Sequence, residues 1–179
     1  MPTSTPELNL DFAKYSQLGD YHWQEYRRGT IYGQHAAQVA AWVTERPVLD
    51  VGCGDGLITH LLGEGAEGID PILLAVDMAK GHGVQARLGR LEDVTGWWSA
   101  VYCGDVLEHL EDQAGAVAHL ATITDRLYLV TPERGIMPKD PYHTHEFSAE
   151  ELTAFMAAAG WHEASQERAY CRIYGFYTR

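Results

Sequence analysis

The chain has 179 residues, of which 46% are apolar, enough for one domain with a buried core. Its formal net charge of -12 argues against a general surface for nucleic acid or acidic membranes, because polyanions would be repelled. Its three cysteines are widely separated, which excludes a disulfide framework and a thiolate zinc site. No window approaches the roughly 20 apolar residues of a membrane span, and the N-terminus lacks a secretory leader pattern, so we expect a cytoplasmic protein.

The spacing of apolar residues along the chain changes near Pro47. From about residue 11 to 45, tyrosine, tryptophan and alanine recur at helical spacing. After Pro47, short apolar runs alternate with helix-like segments, a pattern that indicates βαβ units and a parallel sheet with helices on both faces. We therefore expect a single α/β domain over residues 1–179, with a helical segment at about 11–45 and a core at 46–179.

The last third of the chain carries clearer boundaries. Ser148 followed by Glu151 is a capping box, and Gly160 is a helix stop, so the pattern predicts a helix over residues 149–159. The segment "HEASQERAYCRIYGFYTR", residues 162–179, has no helix signal and predicts two strands at an antiparallel edge.

A glycine-rich segment, "VLDVGCGDG", follows the first apolar run. Glycines between a strand and a helix let backbone N–H groups approach a ligand closely. The spacing of Gly52, Gly54 and Gly56 differs from the GxGxxG dinucleotide fingerprint, and the Gly-Lys-Ser/Thr of a P-loop is absent. Asp50 and Asp55 would place carboxylates beside a phosphate. These acids favour a ligand with a positive ammonium group, such as the amino-acid part of S-adenosylmethionine.

A second acid, Asp70 in "EGIDP", ends the next predicted strand, 18 residues after Gly52. Nucleotide-binding folds use an acid at this place to hold ribose hydroxyls. The glycine loop and the second acid therefore suit one ligand with an amino-acid end and a ribose, which is again S-adenosylmethionine.

Several motifs then occur in order: "VLDVGCGDG", "GIDP", "CGDVLEHLED", "LYLVTPE" and "HEFSAEELTAFMAAAGW". In this order, over about residues 20–179, the sequence resembles the class I S-adenosylmethionine-dependent methyltransferases of the small-molecule type, similar to the ubiquinone-biosynthesis group. The resemblance implies a Rossmann-like three-layer sandwich with a mostly parallel seven-stranded sheet and an antiparallel C-terminal edge strand. It also implies S-adenosylmethionine as cofactor and methyl transfer to an oxygen, nitrogen or carbon nucleophile of a small molecule. Monomer and homodimer both stay open, and no nucleic acid or membrane partner is expected.

The resemblance also assigns cofactor contacts. Asp50 and Gly52 would contact the methionine part, Asp70 the ribose, and Asp105 would close the site. Where the family often has Gly-Asp for the adenine, this chain has Gly89 and Arg90, so adenine would be held by the backbone of Leu91 or by Glu92. The full set of predicted cofactor residues is Asp50, Gly52, Cys53, Gly54, Gly56, Asp70, Pro71, Leu91 and Asp105.

Acceptor and catalytic residues are predicted from the segments that flank this loop. In the family the segment before the first strand often forms a lid over the cofactor, which makes Tyr21 and Trp23 candidates for acceptor contact, together with His109. His143 and His145, in "PYHTHEFS" after strand five, are candidates for a general base, because imidazole titrates in the physiological range. Asp105 would lie near the transferred methyl group.

Alternative functions follow from the same residues. The set Asp105, Glu108, His109, His143 and His145 partly resembles the metal-dependent small-RNA 2′-O-methyltransferases, although Asp105 stands where a glutamate is expected. We expect a metal-free site that acts on a small molecule. A non-catalytic module that binds S-adenosylmethionine is a further alternative. A nicotinamide or flavin oxidoreductase is disfavoured by the glycine spacing.

Overall fold

The computed structural model describes residues 13–138 and 140–179. Residues 11 and 12, where the predicted helical segment begins, lie outside the described residues. The helices are α1 Ala13–Leu18, α2 Tyr21–Arg28, α3 Ile31–Trp42, α4 Leu57–Leu62, α5 Leu73–Gly81, α6 Gln113–Ile123 and α7 Ala149–Ala158. The strands are β1 Val48–Val51, β2 Ala66–Asp70, β3 Ala86–Leu88, β4 Ala100–Gly104, β5 Arg126–Pro132, β6 His162–Ala169 and β7 Arg172–Thr178.

The seven strands form one sheet in the order β3-β2-β1-β4-β5-β7-β6. Strands β1 to β5 pair in parallel, whereas β7 pairs antiparallel with both β5 and β6. The predicted Rossmann-like fold is confirmed. One detail is finer than predicted: the antiparallel strand β7 lies between β5 and β6, so the edge strand itself is β6.

The core lies on both faces of this sheet. Successive residues of a strand point to opposite faces, so Val48 packs with α3 and α4, while Leu49 packs with α6 and α7. Both side chains are fully buried. Since the strand order reverses between β1 and β4, the carboxyl ends of these two strands border the crevice in which open α/β sheets bind ligands.

The predicted boundaries near the C-terminal end are confirmed. The Ser148 hydroxyl accepts the Glu151 N–H at 3.2 Å, and the Glu151 carboxylate accepts the Ser148 N–H at 3.0 Å, which forms the expected capping box of α7. Gly160 has a φ of +82° just beyond the helix. Within the described part of the chain, no helix combines the length and the apolar character that crossing a membrane requires.

Candidate functional site

The glycine turn after β1 depends on its glycines for both conformation and space. Gly52, Gly54 and Gly56 have φ values of +72°, +55° and +82°. A Cβ at Gly52 would lie 2.2 Å from Cγ2 of Val106, and one at Gly54 would lie 2.1 Å from the hydroxyl of Tyr15. Any side chain at these two positions would therefore meet strain and a clash.

Asp50 lies beneath this turn, within β1. Its side chain is buried, and its Oδ2 accepts a hydrogen bond from the Thr59 hydroxyl at 2.6 Å. Burial raises the pKa of Asp50 to about 7, and the nearby charge of Asp70 adds to that rise. The predicted contact of Asp50 with the methionine part stays a prediction.

Asp70 ends β2 and ties the glycine turn to the next helix. Its Oδ2 accepts the Gly54 N–H and its Oδ1 accepts the Ile72 N–H, both at 2.9 Å. Burial raises the pKa of Asp70, while these two N–H groups oppose the rise. Pro71 is exposed and precedes α5, which begins at Leu73. The Asp70 carboxylate thus holds the glycine turn in place. Its predicted contact with the ribose stays a prediction.

The helix α2 rests directly on the glycine turn. Asp55, within the turn, is fully buried, and its Oδ2 accepts the backbone N–H of His22 at 3.1 Å. The Nδ1 of His22 lies 3.2 Å from Oδ1 of the same carboxylate. The Trp23 indole N–H donates to the Asp55 carbonyl at 2.9 Å, and the Tyr21 ring lies 3.9 Å from the His22 ring. The structure therefore brings Trp23 to the glycine turn and places Tyr21 beside His22, and the predicted contact of these two residues with an acceptor stays a prediction.

A second contact joins α2 to the end of α5. The Asp20 carboxylate lies 3.0 Å from Nε2 of His82. The Trp23 ring stacks on the His82 ring with centroids 4.0 Å apart and planes at 18°. Helix α2 is therefore held at both the glycine turn and the end of α5.

Asp105 follows β4 and is held by an arginine that sequence reasoning missed. Arg172, the first residue of β7, donates from Nε to Oδ1 at 2.9 Å and lies with Nη2 2.8 Å from Oδ2. Burial alone would raise the pKa of Asp105, but the Arg172 guanidinium outweighs it and holds the pKa below its ordinary value. Asp105 has a φ of +52°, which non-glycine residues rarely adopt. It is thus a fixed negative charge at the carboxyl edge of the sheet.

Glu108 lies one turn further along the chain, and its pKa is shifted in the opposite direction to that of Asp105. Its side chain is fully buried, and Oε2 accepts the Thr131 hydroxyl at 3.0 Å, while Oε1 has no hydrogen-bond partner among the described residues. Burial and the charge of Asp105 raise the pKa of Glu108 well above its ordinary value. The pKa values of these two carboxyl groups at one edge are therefore shifted in opposite directions, as those of acid and base groups in active sites are.

Two of the predicted imidazoles join Glu108, whereas the third does not. Glu108, His109 and His143 each offer a possible ligand atom, and these atoms lie within 4.8 Å of one another. The rings of His109 and His143 are 4.8 Å apart. His145 is exposed and lies edge-on to Phe147 at 4.6 Å. Among the described residues, Glu108, His109 and His143 thus form a group that could hold a divalent metal ion.

Two other predicted cofactor residues have their side chains in the core. Cys53 is 7% exposed and packs against Gly68, and burial raises the pKa of its thiol well above the usual range. Leu91 is 6% exposed. Both side chains are therefore largely removed from contact with a ligand in solution.

No protein-family model matches the chain. A probable S-adenosylmethionine-dependent methyltransferase of Mycobacterium tuberculosis is 31% identical over 158 residues, which cover 76% of this chain and 55% of that protein. A ubiquinone biosynthesis O-methyltransferase of Xylella fastidiosa is 29% identical over 148 residues, which cover 64% of this chain and 60% of that protein. The predicted resemblance to the class I S-adenosylmethionine-dependent methyltransferases is confirmed by these relatives.

The fold agrees with this family. Magnesium protoporphyrin IX methyltransferase from Synechocystis PCC 6803, solved with bound S-adenosylmethionine, superposes with a TM-score of 0.73 at 19% identity and covers 98% of this chain and 100% of that chain. At 19% identity, this similarity shows only that the two chains share a fold. The chain spans 55–60% of the length of these two curated relatives.

Proposed function

We propose that this protein transfers the methyl group of S-adenosylmethionine to a small-molecule acceptor. The observation that supports this most strongly is the glycine turn, bonded to Asp70 at the end of the neighbouring strand, in a chain that resembles this methyltransferase family. An acid at each of two adjacent strands suits a ligand with an ammonium group at one end and a ribose at the other.

The residues of the carboxyl edge fit this cofactor. The glycines let the turn adopt its positive φ values, while Asp50 and Asp70 supply carboxyl groups at the ends of the two adjacent strands. We propose that the segment of residues 11–45 acts as a lid on the core of residues 46–179, and that both form one domain. Support comes from the contacts of His22 and Trp23 with Asp55.

The protein contributes alignment, water exclusion and removal of a proton. When bound, the cofactor supplies a methyl group activated by its sulfonium. An acceptor O–H or N–H would lose its proton to an imidazole and gain the methyl group, and the electrons of the broken C–S bond would stay on sulfur. We propose His143 for this imidazole rather than the exposed His145, and Asp105 as a fixed charge near the reacting atoms.

Calorimetry and a transfer assay test this function. We expect S-adenosylhomocysteine to bind in the low micromolar range and NAD to give no heat. Radiolabelled S-adenosylmethionine with a small-molecule extract should yield labelled product. Heat with NAD and none with S-adenosylhomocysteine would refute the proposal. Binding of S-adenosylhomocysteine without label transfer to any extract would favour a non-catalytic binding module.

The cluster of Glu108, His109 and His143 favours a second candidate, a metal-dependent methyltransferase. A carboxylate and two imidazoles suit Mn, Fe, Co or Zn better than Mg. A small molecule remains the better acceptor than RNA, because a net charge of -12 repels a polyanion. Loss of methyl transfer on treatment with a chelator, restored by Mn or Co, would establish this candidate. An unchanged rate would support the metal-free site.

A further inference from the structure

The segment that carries His143 is built onto the turn after β4. The Thr144 N–H donates to the Glu108 carbonyl at 2.8 Å, and the Thr144 hydroxyl lies 2.8 Å from the Leu110 carbonyl. On the other side, the His143 N–H donates to the Asp140 carbonyl at 3.0 Å. Hydrogen bonds therefore fix the backbone on both sides of the imidazole, so its position does not depend on a free loop.

A buried carboxylate then orients the ring itself. The Nδ1 of His143 lies 2.6 Å from Oε1 of Glu146, and the two side chains are only 11% and 8% exposed. A carboxylate can only accept, so this bond places the proton of a neutral imidazole on Nδ1 and leaves Nε2 as an acceptor. A base oriented by a third group is the arrangement that acid–base catalysis uses.

The neighbouring imidazole offers a comparison within the same segment. His145 is exposed and packs against Phe147. The described structure gives His145 no hydrogen bond of the kind that links His143 to Glu146. Only one of the two predicted bases is therefore held in a single ring orientation by a buried acid.

We propose that Glu146 is the positioning residue of this site, which holds His143 as the Nδ1–H tautomer with Nε2 available to the acceptor. The inference rests on the proposed function for its catalytic meaning. The tautomer itself can be tested without any turnover. Sequence reasoning singled out both histidines of "HTHEF" but gave the glutamate beside them no role.

Nitrogen-15 NMR of the full chain tests the tautomer. Spectra are taken at a pH well above that at which imidazoles ordinarily titrate, for the wild type, Glu146→Gln and the control Glu151→Gln. We expect the Nδ1–H tautomer of His143 in the wild type and the control. In Glu146→Gln we expect a mixture or the Nε2–H tautomer, because an amide can also donate to Nδ1. The same tautomer in all three proteins would overturn the proposal.

A kinetic test asks whether this orientation matters for methyl transfer. With any acceptor found in the extract assay, Glu146→Gln should lower kcat by about 10- to 100-fold, by analogy with residues that orient metal-ligating imidazoles. Affinity for S-adenosylhomocysteine and the circular dichroism spectrum should be unchanged, and Glu151→Gln should keep full activity. A wild type that does not bind S-adenosylhomocysteine would refute the proposed function while the NMR result stands. Full activity in Glu146→Gln would overturn the catalytic part of the inference.

Discussion

Asp50→Asn should change how the stability of the protein depends on pH. Burial raises the pKa of Asp50 to about 7, from an ordinary value of 3.8. The folded state therefore holds a proton that the unfolded state releases between these two values. The free energy of unfolding must fall as the pH rises from 3.8 towards about 7, and it levels off above that. An amide at this position does not titrate, and it can still accept the hydrogen bond of Thr59.

The size of the effect follows from the two pKa values. Each unit of difference corresponds to about 1.4 kcal/mol, so the total is about 4 kcal/mol. Between about pH 5 and about pH 8 the free energy of unfolding should fall by about 2–3 kcal/mol of this total, because the rest is already lost below the lower pH. The wild type should therefore lose about 2–3 kcal/mol more than Asp50→Asn over this range.

Urea unfolding of both proteins at the two pH values measures how much more unfolding free energy the wild type loses than Asp50→Asn. Titrating groups that do not interact with Asp50 affect both proteins alike and cancel in the comparison. Thr59→Val serves as a control for the hydrogen bond: it removes the donor but leaves the carboxyl group, so its pH dependence should be at least as steep as that of the wild type. Equal pH dependence in wild type and Asp50→Asn would show that Asp50 does not titrate in this range, and the reasoning would fail.

Three further outcomes follow from the site. Asp70→Ala should weaken binding of S-adenosylhomocysteine by about 1–3 kcal/mol in calorimetry, and lower the free energy of urea unfolding, because two buried N–H groups lose their acceptor. Asp112→Ala, which removes the exposed N-cap side chain of α6, should leave this binding unchanged. Equal affinity of both variants for S-adenosylhomocysteine would show that Asp70 only caps backbone N–H groups. Asp20→Asn should loosen the lid and speed association of S-adenosylhomocysteine in stopped flow, while Arg28→Gln, at an exposed pair elsewhere on α2, should not. Identical rates would show that the contact with His82 does not limit entry.

The glycine turn and α7 could be predicted because their signals are local. Gly52, Gly54 and Gly56 each need positive φ, and Ser148 with Glu151 marks a helix start wherever it occurs. Such features depend on residues close in sequence, which is why a single chain suffices to find them.

The parts that were missed depend on distant residues. Arg172 and Asp105 are 67 positions apart, and no local pattern joins them. The turn before β7 uses Tyr170 and Cys171 at positive φ, where glycine or asparagine is the usual signal, so its tight geometry was not foreseen. The segment at about residues 11–45 was predicted to be helical, but the positions at which it breaks, Gly19 and Gly29, both at positive φ, were not predicted. These two glycines are C-terminal helix signals that the apolar spacing obscured.

The place of β7 between β5 and β6 has a consequence for biosynthesis. Ribosomes make β6 before β7, but β6 pairs only with β7 in the described sheet, so it has no strand to join until residues 172–178 emerge. The same strand brings Arg172 to Asp105. During translation, Asp105 therefore has no Arg172 to pair with until β7 has been made and inserted. A nascent chain that stops before residue 172 lacks both the complete sheet and this ion pair.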